Sequence, residues 1–389
     1  MDSVAALQEQ LVAIRRHLHR YPELSGEEWE TTRYIRERLE AAEIRILPAA
    51  GLATGIIAEI GHSGPVIALR ADIDALPVQE QTDLPYASTI AGKMHACGHD
   101  FHSAALLGAA YLLKKKEDIL PGRVRLIFQP AEEKAKGARQ IIDNGGLEDV
   151  QVIYGLHNKP DLPVGTIGIK DGPLMAAADG FRIRIHGQST HAAVPEAGID
   201  PIVVSAHIIT ALQSIISRNI SAQESAVVSV TRLHSGHTWN VIPEQAELEG
   251  TIRTFDESVR REVLERFSRI IEHTAAAYGA KADIQMLAGP PPVHNDKEWT
   301  EAARRSARQL GLNVIVPTVS PASEDFSFYQ QQVAGVFLFV GTSGPQEWHH
   351  PAFDVDEEAL GHTAALLAET AQSAMQQWHE TANPAIPAK

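Results

Sequence analysis

The sequence has 389 residues, of which 44% are hydrophobic and 21% are charged, and its formal net charge at pH 7 is −15. This composition and length predict a soluble globular protein with two domains. The acidic balance argues against nucleic acid as a partner and against a basic membrane-binding surface. The single cysteine excludes an intrachain disulfide, so we expect a protein of the reducing cytoplasm.

The first half of the chain predicts alternating helices and strands. The N-terminal 25 residues carry polar and acidic residues where a signal peptide needs an apolar stretch, and they predict an amphipathic helix. No uninterrupted apolar run approaches the length of a membrane span. A predicted helix at 31–42 leads to an apolar run at 54–60, followed by "VIALRADIDALP", "VRLIFQPAEE" and "VIYGLHN". Short buried runs separated by helices predict an α/β fold with a mostly parallel sheet flanked by helices.

The middle of the chain has a different pattern. Residues 180–187, "GFRIRIHG", alternate as a half-exposed strand does. A helix at 202–217 with Asp200 as its cap, two strands, a helix at about 257–277 and the strand "KADIQML" follow. The order β-α-β-β-α-β is that of a ferredoxin-like domain. We therefore expect residues 177–290 to form a domain inserted into a catalytic domain made of residues 1–176 and 291–389. Residues 382–389 are expected to be a loose end.

The segment "MHACGHDFH", residues 94–102, concentrates residues that bind metals. It holds three histidines and the only cysteine, with Cys97 and His99 two residues apart just before a predicted helix. Thiolate and imidazole are good ligands for borderline divalent metals. A buried cysteine beside a helix-capping loop is the alternative explanation for this pair.

Further candidate ligands follow other predicted strands: Asp72, Asp74, Glu132, Glu133, His157, His349 and His350. Taken one at a time, such residues are more often solvated loop carboxylates or structural histidines than metal ligands. In parallel sheets, however, ligand sites collect at the carboxyl ends of the strands. Sulfur, nitrogen and oxygen donors together fit one or two divalent ions, and a free glutamate beside an activated water could act as its base.

Several blocks of the sequence carry a resemblance that runs nearly from end to end. They include "RRHLHRYPELSGEE", "LRADIDALP", "MHACGHDFHSAALLGAA", "IFQPAEE", "GLHN", "THAAVP", "NVIPEQAELEGTIRTF", "SEDFSFY" and "WHHPAF". In these blocks and their order the sequence resembles the M20 metallopeptidase family. The likeness is to its amidohydrolase branch of aminoacylase, hippuricase and auxin-conjugate hydrolase type. Within that branch it is similar to small bacterial N-acyl-amino-acid deacylases, including enzymes that act on N-acetylated cysteine derivatives.

The resemblance implies a zinc-peptidase-like catalytic domain with two divalent metal ions, manganese or zinc, with nickel or cobalt as alternatives. The implied metal ligands are Cys97, His99, Glu133, His157 and His349. His349 is preferred to His350 because the family motif places a proline two residues after the ligand. Glu132 matches the general base of the family, Asp72 and Asp74 are expected to orient ligands, and His102 to support them.

The inserted domain resembles the lid and dimerisation domain of the family, which implies a homodimer. His191 matches a histidine that helps to hold the substrate or the developing oxyanion. Asn240 and Arg253 match polar positions that face the substrate, where an arginine could pair with an amino-acid carboxylate. An ion pair on the sheet surface is the alternative explanation for Arg253.

The function implied is hydrolysis of the amide of N-acyl, chiefly N-acetyl, amino acids by a metal-activated water, with Glu132 as general base. Two alternatives stay open: a dipeptidase or carboxypeptidase of the same family, and a metal-binding module without catalysis. A serine hydrolase and a nucleotide-binding protein are disfavoured. The sequence contains no G-x-S-x-G motif, no Walker A motif and no Rossmann glycine pattern after a strand.

Overall fold

The computed structural model describes residues 2–382, and the side chains within residues 6–381. The predicted loose end therefore lies outside the described residues, apart from the backbone of its first residue. Contacts within the chain define two units. The first comprises Met1–Gly172, His294–Thr318 and Asp325–Lys389, and the second comprises Pro173–Val293 and Val319–Glu324. The sequence-based insertion at 177–290 falls inside the second unit, and the short segment Val319–Glu324 was not anticipated.

The α-helices of the described residues are, in chain order, α1 (Asp2–Arg20), α2 (Trp29–Ala41), α3 (His99–Lys114), α4 (Gly137–Asp143), α5 (Pro201–Ser214), α6 (Glu257–Ala277), α7 (Lys297–Gln309), α8 (Ser327–Gln330) and α9 (Ala359–Ala382). The strands are β1 (Arg45–Ile46), β2 (Ile56–Ile60), β3 (Val66–Asp72), β4 (Arg123–Gln129), β5 (Val150–Lys159), β6 (Thr166–Gly168), β7 (Gly172–Met175), β8 (Ala177–His186), β9 (Thr190–His191), β10 (Ala226–Ser235), β11 (Val241–Ile242), β12 (Gln245–Thr254), β13 (Lys281–Leu287), β14 (Val293–Asn295), β15 (Asn313–Ile315) and β16 (Ala334–Gly341).

The first unit is built on an eight-stranded sheet in the order β1-β2-β4-β3-β5-β16-β6-β15. Its four central strands, β4, β3, β5 and β16, are parallel neighbours, which confirms the predicted α/β fold. All seven residues of β3 are buried. A sheet covered on both faces buries both sets of side chains of a central strand. The continuous apolar runs of the sequence are the result.

Helix α3 lies in the core of the first unit and fixes one side of the candidate site. Most of its residues are buried, and it packs against α1 and α9. A Cβ added at Gly108 would lie 2.7 Å from a Leu11 methyl carbon and 2.7 Å from the Ala364 Cβ, so the helices approach closely at this glycine. Because α3 begins at His99, its packing also fixes the position of that histidine.

The second unit contains a four-stranded antiparallel sheet in the order β10-β12-β8-β13, with α5 and α6 packed on it. Along the chain, the four strands of this sheet and the two helices follow the order β-α-β-β-α-β, as the sequence predicts. In β8, Phe181, Ile183 and Ile185 are buried in the core beneath the helices. The intervening residues Arg182 and Arg184 are exposed on the other face of the sheet.

One segment of the second unit, Pro201–Asn219, is long and apolar enough to cross a membrane by length and composition alone. Helix α5 makes up most of it. Val204, Ile208 and Leu212 of this helix belong to the hydrophobic core of the unit. One face of α5 therefore packs in that core, while 33% of the apolar window as a whole is buried.

Candidate metal centre

The candidate residues of the first unit meet at the carboxyl ends of its parallel strands. Asp72 is the last residue of β3, Glu132 and Glu133 follow the end of β4, and His157 lies near the end of β5. The loop after β16, the parallel neighbour of β5, carries His349. Carboxyl ends of parallel strands lie on the same edge of a sheet, so residues far apart in sequence converge there.

The five proposed metal ligands lie in one cluster. The Cys97 Sγ is 3.4 Å from the His157 Nε2. The Glu133 Oε1 is 3.5 Å from the His349 Nε2 and 3.9 Å from the His99 Nε2. Donor atoms lie within 4.8 Å of one another in three overlapping triads: Cys97, His99 and His157; Cys97, Glu133 and His349; His99, Glu132 and Glu133. Overlapping triads of this kind suit two neighbouring cations that share ligands.

The hydrogen bonding of two atoms in the cluster indicates whether a metal ion would fit there. The His99 Nε2 and the Glu133 Oε1 are buried, yet neither has a hydrogen-bond partner within the described part of the chain. Buried polar atoms are normally paired, so both atoms point to a cation that they would share. Sulfur, imidazole and carboxylate donors form the ligand set that zinc and similar divalent ions accept. The residues present therefore fit divalent metal ions.

The electrostatics of the two buried histidines also suit a cation. Burial alone would lower the pKa of His99, but the carboxylates of Asp72, Asp74 and Glu133 raise it to about 10. The three carboxylates therefore favour a positive charge at the position of this ring. Burial and the neighbouring His102 lower the pKa of His157 well below its usual value. The His157 Nδ1–H donates to the Asn158 carbonyl oxygen at 2.8 Å, which leaves the Nε2, beside the Cys97 Sγ, as the nitrogen that could bind a metal.

Gly98 separates the two ligands of the Cys-Gly-His motif and has the left-handed φ of +85°. A Cβ at this position would lie 2.3 Å from the Asn158 Nδ2. That Nδ2 donates to the Cys97 carbonyl oxygen at 2.6 Å. Glycine is therefore required both by the backbone conformation and by the close approach of the asparagine that holds the Cys97 backbone.

The loop that carries the two glutamates is held at its backbone. Asp74 accepts hydrogen bonds from the Glu132 N–H and the Glu133 N–H, both at 3.1 Å, and from the Ser25 hydroxyl at 2.6 Å. Glu28, which is buried, accepts from the Ala131 N–H at 2.8 Å. The side chains then diverge: Glu133 faces His99 and His349, whereas the Glu132 Oε1 accepts the Asp325 N–H at 3.3 Å.

The residues expected to orient the ligands contact them. The His99 Nδ1 is 3.3 Å from the Asp74 Oδ1. The His102 Nδ1 is 2.6 Å from the Asp72 Oδ1, and the His102 Nε2 accepts the Asn158 N–H at 2.9 Å. With both ring nitrogens in hydrogen bonds, His102 has no nitrogen left for a metal, which suits a supporting role.

Sequence reasoning missed three side chains that shape the centre. Asn158 holds Cys97 and His102, Glu28 holds the glutamate loop, and Trp348 packs its ring 4.5 Å from that of His157. All three lie inside or beside the motif blocks quoted above. Each acts through a neighbouring residue, and nothing in its local sequence shows which residue that is.

His349, rather than His350, faces the cluster. Its φ of +67° is unusual for a residue with a side chain, and its N–H donates to the Ala96 carbonyl oxygen at 2.8 Å. The strained backbone is thus held beside the Cys-Gly-His loop. His350 accepts the Ala352 N–H at its Nδ1 at 3.0 Å.

The three predicted substrate-contacting residues lie in the second unit. His191 ends β9, which pairs with β11, and the Ala192 N–H donates to the Asn240 carbonyl oxygen at 3.0 Å, so His191 and Asn240 are neighbours. Arg253 lies on β12 and donates to the Thr251 hydroxyl and to the Ile252 carbonyl oxygen. Among the described residues no carboxylate pairs with Arg253, so the alternative of a sheet-surface ion pair is not supported.

The fold and the cluster define an α/β protein with a candidate metal centre of thiolate, imidazole and carboxylate donors. The model of Peptidase family M20/M25/M40 matches residues 68–373, and the chain belongs to that family.

Named relatives narrow the comparison. The chain is 51% identical over 372 residues to the N-acetyl-L-cysteine deacetylase of Bacillus subtilis (strain 168), covering 95% of this chain and 89% of the relative. It is 38% identical over 369 residues to thermostable carboxypeptidase 1 of Saccharolobus solfataricus, covering 92% and 94%. The crystal structure of the Bacillus subtilis YXEP protein, described as a dinuclear metal binding peptidase of the M20 family, matches with a TM-score of 0.88. The two are 49% identical, with 96% of this chain and 99% of that chain covered.

Proposed function

We propose that this protein is a metal-dependent amidohydrolase that hydrolyses the amide of N-acyl amino acids, with N-acetyl as the preferred acyl group. The observation that carries the proposal is the cluster of five candidate ligand side chains with a second carboxylate beside Glu133, that of Glu132, which accepts a hydrogen bond from the Asp325 N–H. That arrangement offers both a metal site and a base, which a metal-binding module without catalysis would not need.

Cys97, His99, Glu133, His157 and His349 would hold two divalent ions. When bound, the ions supply Lewis acidity and lower the pKa of a water molecule toward neutrality. The thiolate of Cys97 favours zinc, while manganese, and also nickel or cobalt, remain compatible with the imidazole and carboxylate donors. The protein's contribution is to hold these donors close together before the ions arrive.

Glu132 would act as the general base. Two backbone hydrogen bonds support this role: Asp74 fixes the Glu132 N–H, and the Asp325 N–H fixes one carboxylate oxygen. The carboxylate also lies within 4.8 Å of the donor atoms of His99 and Glu133. From this position it would take a proton from the attacking water and return it to the departing amine nitrogen.

Residues of the second unit would bind the substrate. The His191 Nδ1 accepts the Ala193 N–H at 3.1 Å, so the proton of the neutral ring is on Nε2. This exposed N–H is a donor suited to a developing oxyanion. No carboxylate within the described part of the chain pairs with the Arg253 guanidinium, which leaves it available for the carboxylate of an amino acid. Asn240, beside His191, would contribute a further polar contact.

The relative at 51% identity is named as a deacetylase of N-acetyl-L-cysteine, which supports an N-acetylated amino acid as substrate. A carboxypeptidase is the second candidate, since a relative at 38% identity carries that name. The test is amine release from N-acetyl amino acids, N-acetylcysteine derivatives, hippurate and dipeptides. It uses chelated protein with and without added Mn²⁺ or Zn²⁺. We expect metal-dependent release from acylated amino acids. Cleavage of dipeptides alone would reject the deacylase in favour of a peptidase.

We also propose a homodimer formed through the second unit, in the cytoplasm. Strand β10 is at the edge of its sheet and exposes Val227 and Leu233, while α5 exposes Ile202 and Val203. An open apolar edge invites pairing with a second copy. Sedimentation velocity should give a dimer for the unmodified chain and a folded monomer when Val227 and Leu233 are both changed to lysine. A monomeric unmodified chain would contradict the dimer.

A further inference from the structure

A fully buried arginine lies behind the candidate metal centre. Arg70 is on β3, two residues before Asp72, and none of its surface is exposed. Its Nη1 donates to the Asp72 Oδ2 at 2.8 Å, its Nη2 to the Asp325 Oδ1 at 3.0 Å, and its Nε to the Gln129 Oε1 at 2.8 Å. Burying a charge is costly unless its partners satisfy it, so this three-way arrangement calls for an explanation.

One side of the arginine leads to the metal ligands. The Asp72 Oδ1 pairs with His102 at 2.6 Å, and the Asp72 Oδ2, which accepts from Arg70, is 3.7 Å from the His99 Nε2. The Ser103 hydroxyl also donates to the Asp72 carbonyl oxygen at 2.9 Å. Arg70 therefore fixes the orientation of the carboxylate that faces the candidate ligand His99.

The other side leads to the candidate base. The Asp325 carboxylate accepts from the Gln129 side chain at 2.8 Å and from the Ala138 N–H at 3.0 Å, in addition to Arg70. The N–H of the same aspartate donates to the Glu132 Oε1 at 3.3 Å. A side chain that is held at both oxygens fixes its own backbone, and hence the donor that reaches Glu132.

We propose that Arg70 is a positioning residue whose guanidinium links the ligand side of the centre, through Asp72, to the base side, through Asp325. The proposal rests on the proposed function of Glu132 and of the ligand cluster. Arginine is required because a planar fork reaches two carboxylates and an amide oxygen in fixed directions, which the single ammonium of a lysine does not.

Arg125 offers a matched control. It is buried on the neighbouring strand β4, opposite Ala68 of β3, and pairs with Glu59 at 2.7 Å. Its other contacts are backbone carbonyl oxygens, Gly146 O at 3.1 Å among them, and none of its partners belongs to the candidate centre. Replacing either arginine by lysine removes a buried fork, but only one of the two contacts the centre.

The experiment compares Arg70→Lys with Arg125→Lys as folded, full-length, chelated protein. Zn²⁺ and Mn²⁺ are titrated calorimetrically, and kcat and KM are then measured on the best substrate of the acyl-amino-acid panel. We expect Arg70→Lys to weaken metal binding and to lower kcat, each by about tenfold or more, while KM changes much less than kcat. Arg125→Lys should bind metal and turn over as the unmodified chain does, even if it melts earlier. Equal metal affinity and equal kcat in the two variants would overturn the proposal.

Asp325→Asn tests the base side alone, without changing the contact between Arg70 and Asp72. It also provides a test if Arg70→Lys does not fold. The change preserves size and the N–H that reaches Glu132, but weakens the pairing with Arg70. We expect kcat to fall while metal affinity changes less, because Asp72 keeps its partner. An unchanged kcat would contradict the link to the base. If the unmodified chain cleaves no acylated amino acid, the proposed function fails, while the metal titrations of the two lysine variants still decide the role of Arg70.

Discussion

The two sheets of this protein place charged side chains in opposite environments. In the first unit, Arg70 pairs with both Asp72 and Asp325, and all three residues are fully buried. In the second unit, Arg184 and Glu247 pair across neighbouring strands at 2.9 Å, and the Arg184 side chain is 48% exposed to solvent. The difference follows from the architecture: a central parallel sheet is covered on both faces, whereas an antiparallel sheet can leave one face in water.

The contrast shows where charge fixes geometry. A buried ion pair gains little net stability, but removing one partner strands the other, so each member constrains the rest. An exposed pair is screened and flexible, and it constrains little. We therefore expect substitutions at the buried edge of the first unit to change chemistry strongly, and equivalent substitutions on the exposed face of the second unit to change almost nothing.

The largest effect is expected at Glu132. Glu132→Gln keeps the shape and the backbone hydrogen bond to Asp74 but removes the group that accepts a proton. Turnover should fall by roughly 100- to 10,000-fold, the range in which general acid–base catalysis contributes, while metal binding stays near that of the unmodified chain. Steady-state kinetics and metal analysis of the same preparation measure both quantities.

Glu133→Gln is the control for that prediction. It changes the adjacent residue in the same way, yet Glu133 faces His99 and His349, so metal binding should be lost along with activity. If Glu132→Gln stays active at near the original rate, the assignment of the base is wrong. If it loses its metal as Glu133→Gln does, the roles of the two glutamates are not separate.

A smaller effect is expected at Gly98. Gly98→Ala forces a side chain into a left-handed conformation and against Asn158, which holds the Cys97 carbonyl oxygen. Metal affinity should fall by about tenfold or more, as it does when a group that supports a ligand is displaced. Calorimetric titration of the chelated variant with Zn²⁺ measures it.

Gly92→Ala separates strain from displacement. Gly92 has a similar φ of +73°, but a Cβ there meets nothing within 4 Å. Both alanine variants should lose roughly 1–2 kcal/mol of unfolding free energy through the backbone strain. Only Gly98→Ala should also lose metal affinity, and a parallel loss in Gly92→Ala would mean that strain alone explains the effect.

Local patterns predicted much of this molecule. The apolar runs predicted the buried strands because a covered parallel sheet requires them, and Asp200, predicted as a cap, accepts the Ile202 N–H at 2.9 Å. Glu133, His157 and His349 were expected to converge because they follow strands of one predicted sheet, and the family resemblance added Cys97 to them. Each of these residues also has ligand chemistry that marks it in the sequence.

What could not be predicted depends on contacts between residues far apart in sequence and ordinary in type. Arg70 lies within a predicted buried strand, but nothing in the sequence identifies its partner, and Asp325 is 255 residues away, so only the folded chain shows that they pair. The hydrogen bond from the Ala131 N–H to Glu28 joins residues 103 positions apart, and the sequence likewise gives no sign of it. The segment Val319–Glu324 also belongs to the second unit. The sequence does not predict this, because six residues are too few to show the periodicity of a helix or a strand.

The smallest effect is expected on the exposed face of the second unit, where it tests whether exposed charge pairs contribute little. A double-mutant cycle of Arg184→Ala and Glu247→Ala should give a coupling free energy of about 0.2–1 kcal/mol, because water screens the pair and both side chains lose freedom when they meet. Chemical denaturation at low and high salt measures it, and the coupling should shrink as ionic strength rises. Neither single variant should change kcat or metal affinity. A coupling of several kcal/mol that is insensitive to salt would mean that this face is covered in solution, and the contrast between the two sheets would then no longer be one of exposure.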